Sequence, residues 1–304
     1  MIEAFIETHK LPEGFKELVK DYYQPLTDRI YSQFKTHDKT YFVGVNGCQG
    51  SGKSTLSAYI AQYLTSTYNL NVVVMSLDDF YLSQDKRNQL AIDIHPMLEK
   101  RGVPGTHDTL LLQQVIDALK NNHLPISIPV FNKASDNPAP KEHWTIIEKP
   151  VDIVILEGWC WGVSAQKNEE LITPINSLEK QKDSDMLWRR YVNEQLTEHY
   201  QPLYELFDYW VALQAPSFSN VYRWRLEQEH KLATKLESSG NDCDLSGLMS
   251  ATQILDFIQY FQRLTEHGIK TLPSFAHTTF FLDVNRQIEN FQVNSIGSPA
   301  RISK

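Results

Sequence analysis

Tyr41-Phe42-Val43-Gly44-Val45-Asn46-Gly47-Cys48-Gln49-Gly50-Ser51-Gly52-Lys53-Ser54-Thr55 is the stretch that decides the fold. Its first six residues form a short apolar run of the kind a buried parallel strand requires. The next eight fit G-x-x-x-x-G-K-[ST] without deviation, and the residues through Tyr68 read as a helix of about four turns. Strand, glycine-rich loop and helix start, in that order, make a phosphate cradle. Glycines let backbone N–H groups turn inward around the α- and β-phosphates, and the helix adds its positive end. Gly47, Cys48, Gln49, Gly50, Ser51, Gly52, Lys53, Ser54 and Thr55 are therefore the expected nucleotide contacts. Lys53 is expected to reach the β- and γ-phosphates and Ser54 the Mg²⁺.

Outward from the loop, Val72–Ser76 reads as a second strand, ending in Ser76-Leu77-Asp78-Asp79-Phe80-Tyr81. A loop-rich segment with Pro96, Gly102, Pro104 and Gly105 follows, until Thr106 or Asp108 caps an amphipathic helix over Leu110–Leu119. Ile126–Phe131 and Val151–Leu156 are apolar runs expected as inner strands, and residues 164–186, polar and charged, are expected as a surface insertion. A helix over Trp188–Tyr204, a strand over Tyr209–Leu213, long helices near 217–237 and 247–267 and a last strand over Thr278–Val284 complete the chain. Before the loop, apolar positions such as Phe15, Val19, Leu26 and Ile30 predict two short amphipathic helices.

Strands alternating with helices imply an α/β chain with a P-loop NTPase fold, its sheet mainly parallel with helices on both faces. With no internal repeat or low-complexity linker, we expect one domain over residues 40–304 and an N-terminal helical extension over 1–39.

Composition narrows the function. With 304 residues, 41% hydrophobic and 22% charged, the chain has the makings of a large folded core. A formal net charge of −8 argues against nucleic acid as partner. No run approaches the roughly 18 uninterrupted apolar residues of a membrane span, and MIEAFIETHK carries acids where a signal peptide needs positive charge, so a cytoplasmic protein with no membrane partner is expected. Cys48, Cys160 and Cys243 lack C-x-x-C spacing, and the ten histidines lack H-E-x-x-H, so the expected metal is Mg²⁺ brought by the nucleotide.

The loop fixes the nucleotide and leaves the reaction open. Carboxylates at the carboxyl edge of the sheet narrow it, because ligands of open α/β folds bind there. Asp78 is positioned to take the proton of a substrate hydroxyl, while Asp79 raises the pKa of Asp78 by like-charge repulsion or binds Mg²⁺ through water. Glu157, after the run Val151–Leu156, stands where an acid orients Mg²⁺ or its water ligands. Asn132-Lys133-Ala134-Ser135 lacks the fourth-position Asp of a guanine-reading N-K-x-D, which excludes the GTPase reading. Arg189, Arg190, Arg223 and Arg225 fall on predicted helices from which a lid can supply charge to a transferring phosphoryl group.

With these residues in hand, the chain resembles the P-loop kinases that include uridine kinase, phosphoribulokinase and pantothenate kinase, and more closely the D-glycerate 3-kinase-like members. The resemblance spans about residues 40–290 and rests on GCQGSGKST, SLDDFYLS, RGVPGTHD, PVFNK, DIVILEGWCWG, QAPSFSNVYRWRLEQEH and TLPSFAHTTFFLDVNRQI. It implies an ATP- and Mg²⁺-dependent transfer to a hydroxyl of a small molecule, most closely D-glycerate. Asp78 is then the carboxylate of the D-x-F-[YL] element that acts as base or orients the hydroxyl, with Asp79 at the variable place; Glu157 is the acid after the Walker-B-type strand, and Arg225, with Arg223 as the alternative, reaches the phosphates beside Lys53. Tyr81, Arg101, His107, Asp108 and Lys133 fall at the acceptor site. Members of the group carry Asp before the lysine of PVFNK, where this chain has Asn132. The other readings are the same machinery with a nucleoside, pantothenate-like alcohol or sugar as acceptor, and a non-catalytic ATP-binding switch.

Overall fold

A computed structural model of the chain describes residues 1–238 and 249–295. Six strands make the central sheet: β1 (Tyr41–Gly47), β2 (Val72–Ser76), β3 (Ile153–Gly158), β4 (Tyr209–Gln214), β5 (Thr278–Leu282) and β6 (Ile288–Val293). Their order is β6-β5-β4-β1-β3-β2. The pairs β2/β3, β3/β1, β1/β4 and β4/β5 are parallel, and β6 closes the edge antiparallel to β5.

β1 lies at the middle of the sheet and is buried along its whole length, as a continuous apolar run demands. Its alternation sends Phe42 to one face, against Phe207, and Tyr41, Val43 and Val45 to the other. Gly44 makes room on the first face: a Cβ there would lie 2.5 Å from the Trp210 ring. That face is covered by the helices Thr109–Asn121 and Ala251–Phe275, and the opposite face by Lys53–Tyr68.

Register aligns the carboxyl edge. Glu157 of β3 sits beside Val45 of β1 on one side and Ser76 of β2 on the other. The glycine loop, the acids after β2 and Glu157 are thereby gathered at one end of three adjacent strands. Glu157 is itself the penultimate residue of β3.

Three expectations are corrected. The leading residues form a helix over Ile2–His9 and then a continuous helical run over 15–34 with a π turn at Val19–Tyr23, instead of two short helices. Their buried Phe5, Phe15, Val19, Leu26 and Ile30 join Tyr59, Ile60 and Tyr63 in one apolar cluster, and Tyr63 and Tyr68 both donate to Asp28 Oδ1, at 3.1 and 3.0 Å. The run Ile126–Phe131 lies outside the central sheet. Ile126–Ile128 pairs with Thr145–Ile147 and Phe131–Asn132 with Asn137–Pro138, in two small ribbons. Pro129, which has no N–H for a ladder, separates the two pieces. The charged segment 164–186 is no surface insertion either: Glu179 and Asp183 within it are fully buried, paired with Arg263 and Arg189. β6 was not expected from the sequence.

Candidate active site

The loop after β1 is built for close approach. Gly50 and Gly52 have φ of 78° and 92°, in the left-handed region that favours glycine. A Cβ on Gly47 would lie 2.4 Å from Ser51 Oγ and 3.1 Å from Lys53 Cβ, so only glycine lets the loop fold over itself. The helix Lys53–Tyr68 starts without a side-chain cap, and its first backbone bond runs from Leu56 N–H to Gly52 C=O at 2.9 Å. The N–H groups of Lys53, Ser54 and Thr55 thus have no partner within the helix, which is the donor set an anion needs. Cys48 is buried and its thiol is pushed up to about 12 by that burial, which keeps it protonated and inert. Cys160 is buried too, and Cys243 lies outside the described residues.

Ser54 Oγ donates to Glu157 Oε1 at 2.8 Å, and Lys53 Nζ stands 3.6 Å from Glu157 Oε2. That second oxygen is buried and lacks a hydrogen-bond partner. A hydroxyl, an ammonium and an acid with an unmet oxygen, set beside an uncapped helix start, are the donor set for a triphosphate and a hard divalent cation such as Mg²⁺.

Beyond β2, Ser76 Oγ accepts from Asp78 N–H at 3.3 Å and starts a 3-10 turn over Leu77–Phe80, which buries Leu77 and Phe80 and leaves the two aspartates at the edge. Asp78 Oδ2 receives Lys133 Nζ at 2.7 Å. Burial pushes its carboxyl up, but the charge and hydrogen bond of Lys133, with Lys53 and His107 beyond, hold it below the usual carboxylate range. Burial instead raises Asp79, against the pull of a hydrogen bond from Phe131 N–H at 3.2 Å, and the charge of Asp78 adds to the rise. The like-charge shift expected at Asp78 therefore falls on its neighbour.

The other expected acceptor residues divide. Tyr81 and His107 form an isolated bridge between their backbones and stack with ring centroids 4.3 Å apart. Phe131 packs edge-on to Tyr81 at 5.4 Å and lies under the Arg101 guanidinium, also at 5.4 Å. Arg101 is bonded to Asp136, whose other oxygen takes buried Arg87 at 2.7 Å. Asp108 is foremost a helix cap, its Oδ1 accepting from Leu111 N–H at 3.0 Å, while Thr106 bonds within its own turn.

Of the arginines expected on a lid, Arg189 is buried and clamped by Asp183 at 2.8 Å, which removes it from phosphate duty. Arg223 faces Glu227 at 3.5 Å and Arg225 faces Glu229 at 2.8 Å, both along the helix Phe218–Ser238. Sequence reasoning missed Asp136 and Tyr200; the latter's hydroxyl lies 2.6 Å from His107 Nδ1.

A parallel sheet with this loop after its central strand, a lysine and serine against a strand-end acid, and a pair of aspartates at the neighbouring edge define a P-loop phosphotransferase. Over 271 residues, 84% of this chain and 93% of the other, the chain is 31% identical to the Uncharacterized kinase mug58 of Schizosaccharomyces pombe, and it belongs to that family of P-loop kinases. It is 29% identical over 298 residues to the Probable ATP-dependent kinase TDA10 of Saccharomyces cerevisiae, covering 91% of this chain and 97% of that one. A solved D-glycerate 3-kinase from Cryptococcus neoformans var. grubii superposes with a TM-score of 0.71 at 26% identity, over 90% of this chain and 99% of the other. No protein-family model matches the chain. The resemblance read from its motifs is borne out: the chain is an ATP-dependent P-loop kinase. Among the described residues no helix is long and apolar enough to cross a membrane.

Proposed function

We propose that this kinase transfers the γ-phosphoryl group of ATP, with Mg²⁺, to a hydroxyl of a small hydroxy acid, D-glycerate above other acceptors. The observation that carries the reading is Asp78, held ionised at the sheet edge within the field of both Lys53 and Lys133. A base for the incoming hydroxyl thus stands between the lysine of the phosphate loop and a cation on the acceptor side. The name of the solved D-glycerate 3-kinase supports the acceptor.

In this reading the loop from Gly47 to Thr55 and Lys53 bind the phosphates, and Ser54, Glu157 and Asp79 hold Mg²⁺ directly or through water. An ion held there would neutralise charge on the phosphates. Asp78 orients the acceptor hydroxyl and takes its proton as the bond to phosphorus forms. Lys133 and Arg101 meet the acceptor carboxylate by charge-assisted hydrogen bonds; Arg101 uses one of its donors on Asp136 and a guanidinium carries five. Tyr81 and His107 wall the acceptor, Asp108 holds that wall through its cap, and Arg225 approaches the phosphates from the helix Phe218–Ser238. Residues 40–304 form the catalytic domain, with 1–39 as a helical buttress. The carboxylate missing at Asn132 leaves this side of the pocket more positive, which favours an anionic acceptor.

The test is ADP release with ATP and Mg²⁺ against D-glycerate, nucleosides, pantothenate and sugars, with Asp78→Asn as control. Turnover with D-glycerate that the variant lowers by ~10²–10⁴-fold, the usual worth of a general base, supports the reading. Turnover with a nucleoside or sugar alone sinks the hydroxy-acid acceptor, and wild-type turnover by the variant sinks the base.

A further inference from the structure

The deepest polar group of the acceptor wall is the imidazole of His107. It is 4% exposed, and its Nε2 has no hydrogen-bond partner. Burial pulls its pKa down to about 3, so the ring is neutral at working pH and one nitrogen carries the proton. Which nitrogen decides whether the free edge offers a donor or an acceptor.

Tyr200 settles the choice. It is fully buried, and its hydroxyl oxygen lies 2.6 Å from His107 Nδ1 and accepts from Gly105 N–H at 3.3 Å. If the phenol donates to Nδ1, the proton of His107 sits on Nε2 and one buried group, the Nε2–H, is left unmet. If Nδ1–H donates to the phenol, both the phenolic hydrogen and the bare Nε2 are left unmet. A buried unmet donor or acceptor is penalised each time, so the first arrangement wins.

We infer that Tyr200 is a positioning residue that locks His107 as the Nε2–H tautomer, so that the acceptor pocket presents a neutral buried donor to an oxygen of the bound hydroxy acid. The inference rests on the acceptor reading above. Nδ1 is the ring nitrogen that meets Tyr200, which leaves Nε2 unpartnered; the ring lies in the field of Asp78 and its face is stacked on Tyr81. A substrate oxygen next to the reacting hydroxyl then completes the one bond the ring lacks. An acceptor without an oxygen there leaves Nε2–H orphaned, which is how a neutral donor discriminates.

Two measurements decide it. Nitrogen-15 histidine spectra of the wild-type protein without substrate read the tautomer directly: His107 is expected with pyrrole-like Nε2 and pyridine-like Nδ1, and Tyr200→Phe is expected to mix the two. Kinetically, Tyr200→Phe is expected to raise KM for the acceptor about tenfold, the worth of one hydrogen bond, and to leave KM for ATP in place. His107→Gln, which keeps an N–H on that edge, is expected to lose less than His107→Leu, and adding Tyr200→Phe to His107→Gln to have no further effect. A pyridine-like Nε2 in the wild-type spectrum overturns the lock, as does a Tyr200→Phe effect that persists undiminished in the His107→Gln background. If the spectrum shows the lock but no hydroxy acid is turned over, the acceptor half of the inference falls together with the reading it rests on.

Discussion

Lys133 Nζ stands 2.7 Å from Asp78 Oδ2, although the two residues come from segments 55 positions apart and Lys133 lies in the turn of a small ribbon outside the main sheet. The Asp78 carboxylate is thus stabilised in its ionised form by the Lys133 ammonium. Both are partly exposed, so the pair contributes little to folding; its effect is on protonation.

Lys133→Ala is therefore expected to move the acid limb of the kcat/KM profile to higher pH. In the wild type Asp78 titrates below the ordinary carboxylate range and stays ionised well into acid; without Lys133 its burial dominates and it protonates earlier on the way down. A pH profile between about 4 and 8 checks this, and an unshifted acid limb would show that another group sets it.

Gly47→Ala addresses the loop. The added Cβ would fall 2.4 Å from Ser51 Oγ and 3.1 Å from Lys53 Cβ, so the loop must open and Lys53 must move. A displacement of about 1 Å in a positioned group is worth about a hundredfold, and kcat/KM for ATP is expected to fall by that order. Thermal unfolding should change little, since the loop lies at the sheet edge. Wild-type kinetics in this variant would mean that the loop tolerates the wider turn.

What was legible in the sequence follows from how local each signal is. The phosphate loop depends on glycines at fixed spacing between a strand and a helix, all within fifteen consecutive residues, 41–55. Asp78 and Glu157 were legible because strand ends meet at one edge of a parallel sheet. Tyr200 was not, since in sequence it is one more aromatic on the apolar side of a helix, and its partner is 93 residues away. The segment 164–186 reads as solvated because its charges cancel only against Arg189 and against Arg263, the latter 84 residues from Glu179. β6 left no trace because only Ile288 of its six residues is buried, so no alternation marks it. The run Ile126–Phe131 misled because Ile126, Ile128 and Phe131, buried on one side of small ribbons, give the same apolar composition as an inner strand.

His107 makes a stability prediction that is independent of substrate. Its folded pKa of about 3 lies below the ordinary 6.5, so its contribution is full above 6.5 and is lost as pH falls toward 3, because the unfolded chain binds the proton first. Over that window the group adds a slope of about 1.4 kcal/mol per pH unit to the unfolding free energy. Urea titrations at several pH values are expected to give a flatter acid dependence for His107→Gln than for the wild type. Parallel curves would mean that the imidazole is not buried as a neutral ring.

The charged cluster around Arg263 gives the largest expected change in stability. Arg263 donates to both oxygens of Glu179, at 2.7 and 2.6 Å, and to the carbonyls of Glu170 and Thr173 at 2.9 and 2.8 Å, tying residues 170–179 to the helix Ala251–Phe275. Glu179 is fully buried, so Arg263→Met leaves its carboxylate without a counter-charge and is expected to destabilise by about 3–5 kcal/mol. Replacing both partners by apolar residues removes the orphaned charge as well, and Arg263→Met with Glu179→Met is expected to recover most of the loss, since a buried pair is worth little over a packed apolar one. Urea midpoints of the single and double variants decide between this and a solvated pair. If Arg263→Met shifts the midpoint no more than a surface substitution does, Glu179 has water or another cation to turn to, and the segment 164–186 is held by its apolar contacts through Leu171 and Leu178 alone.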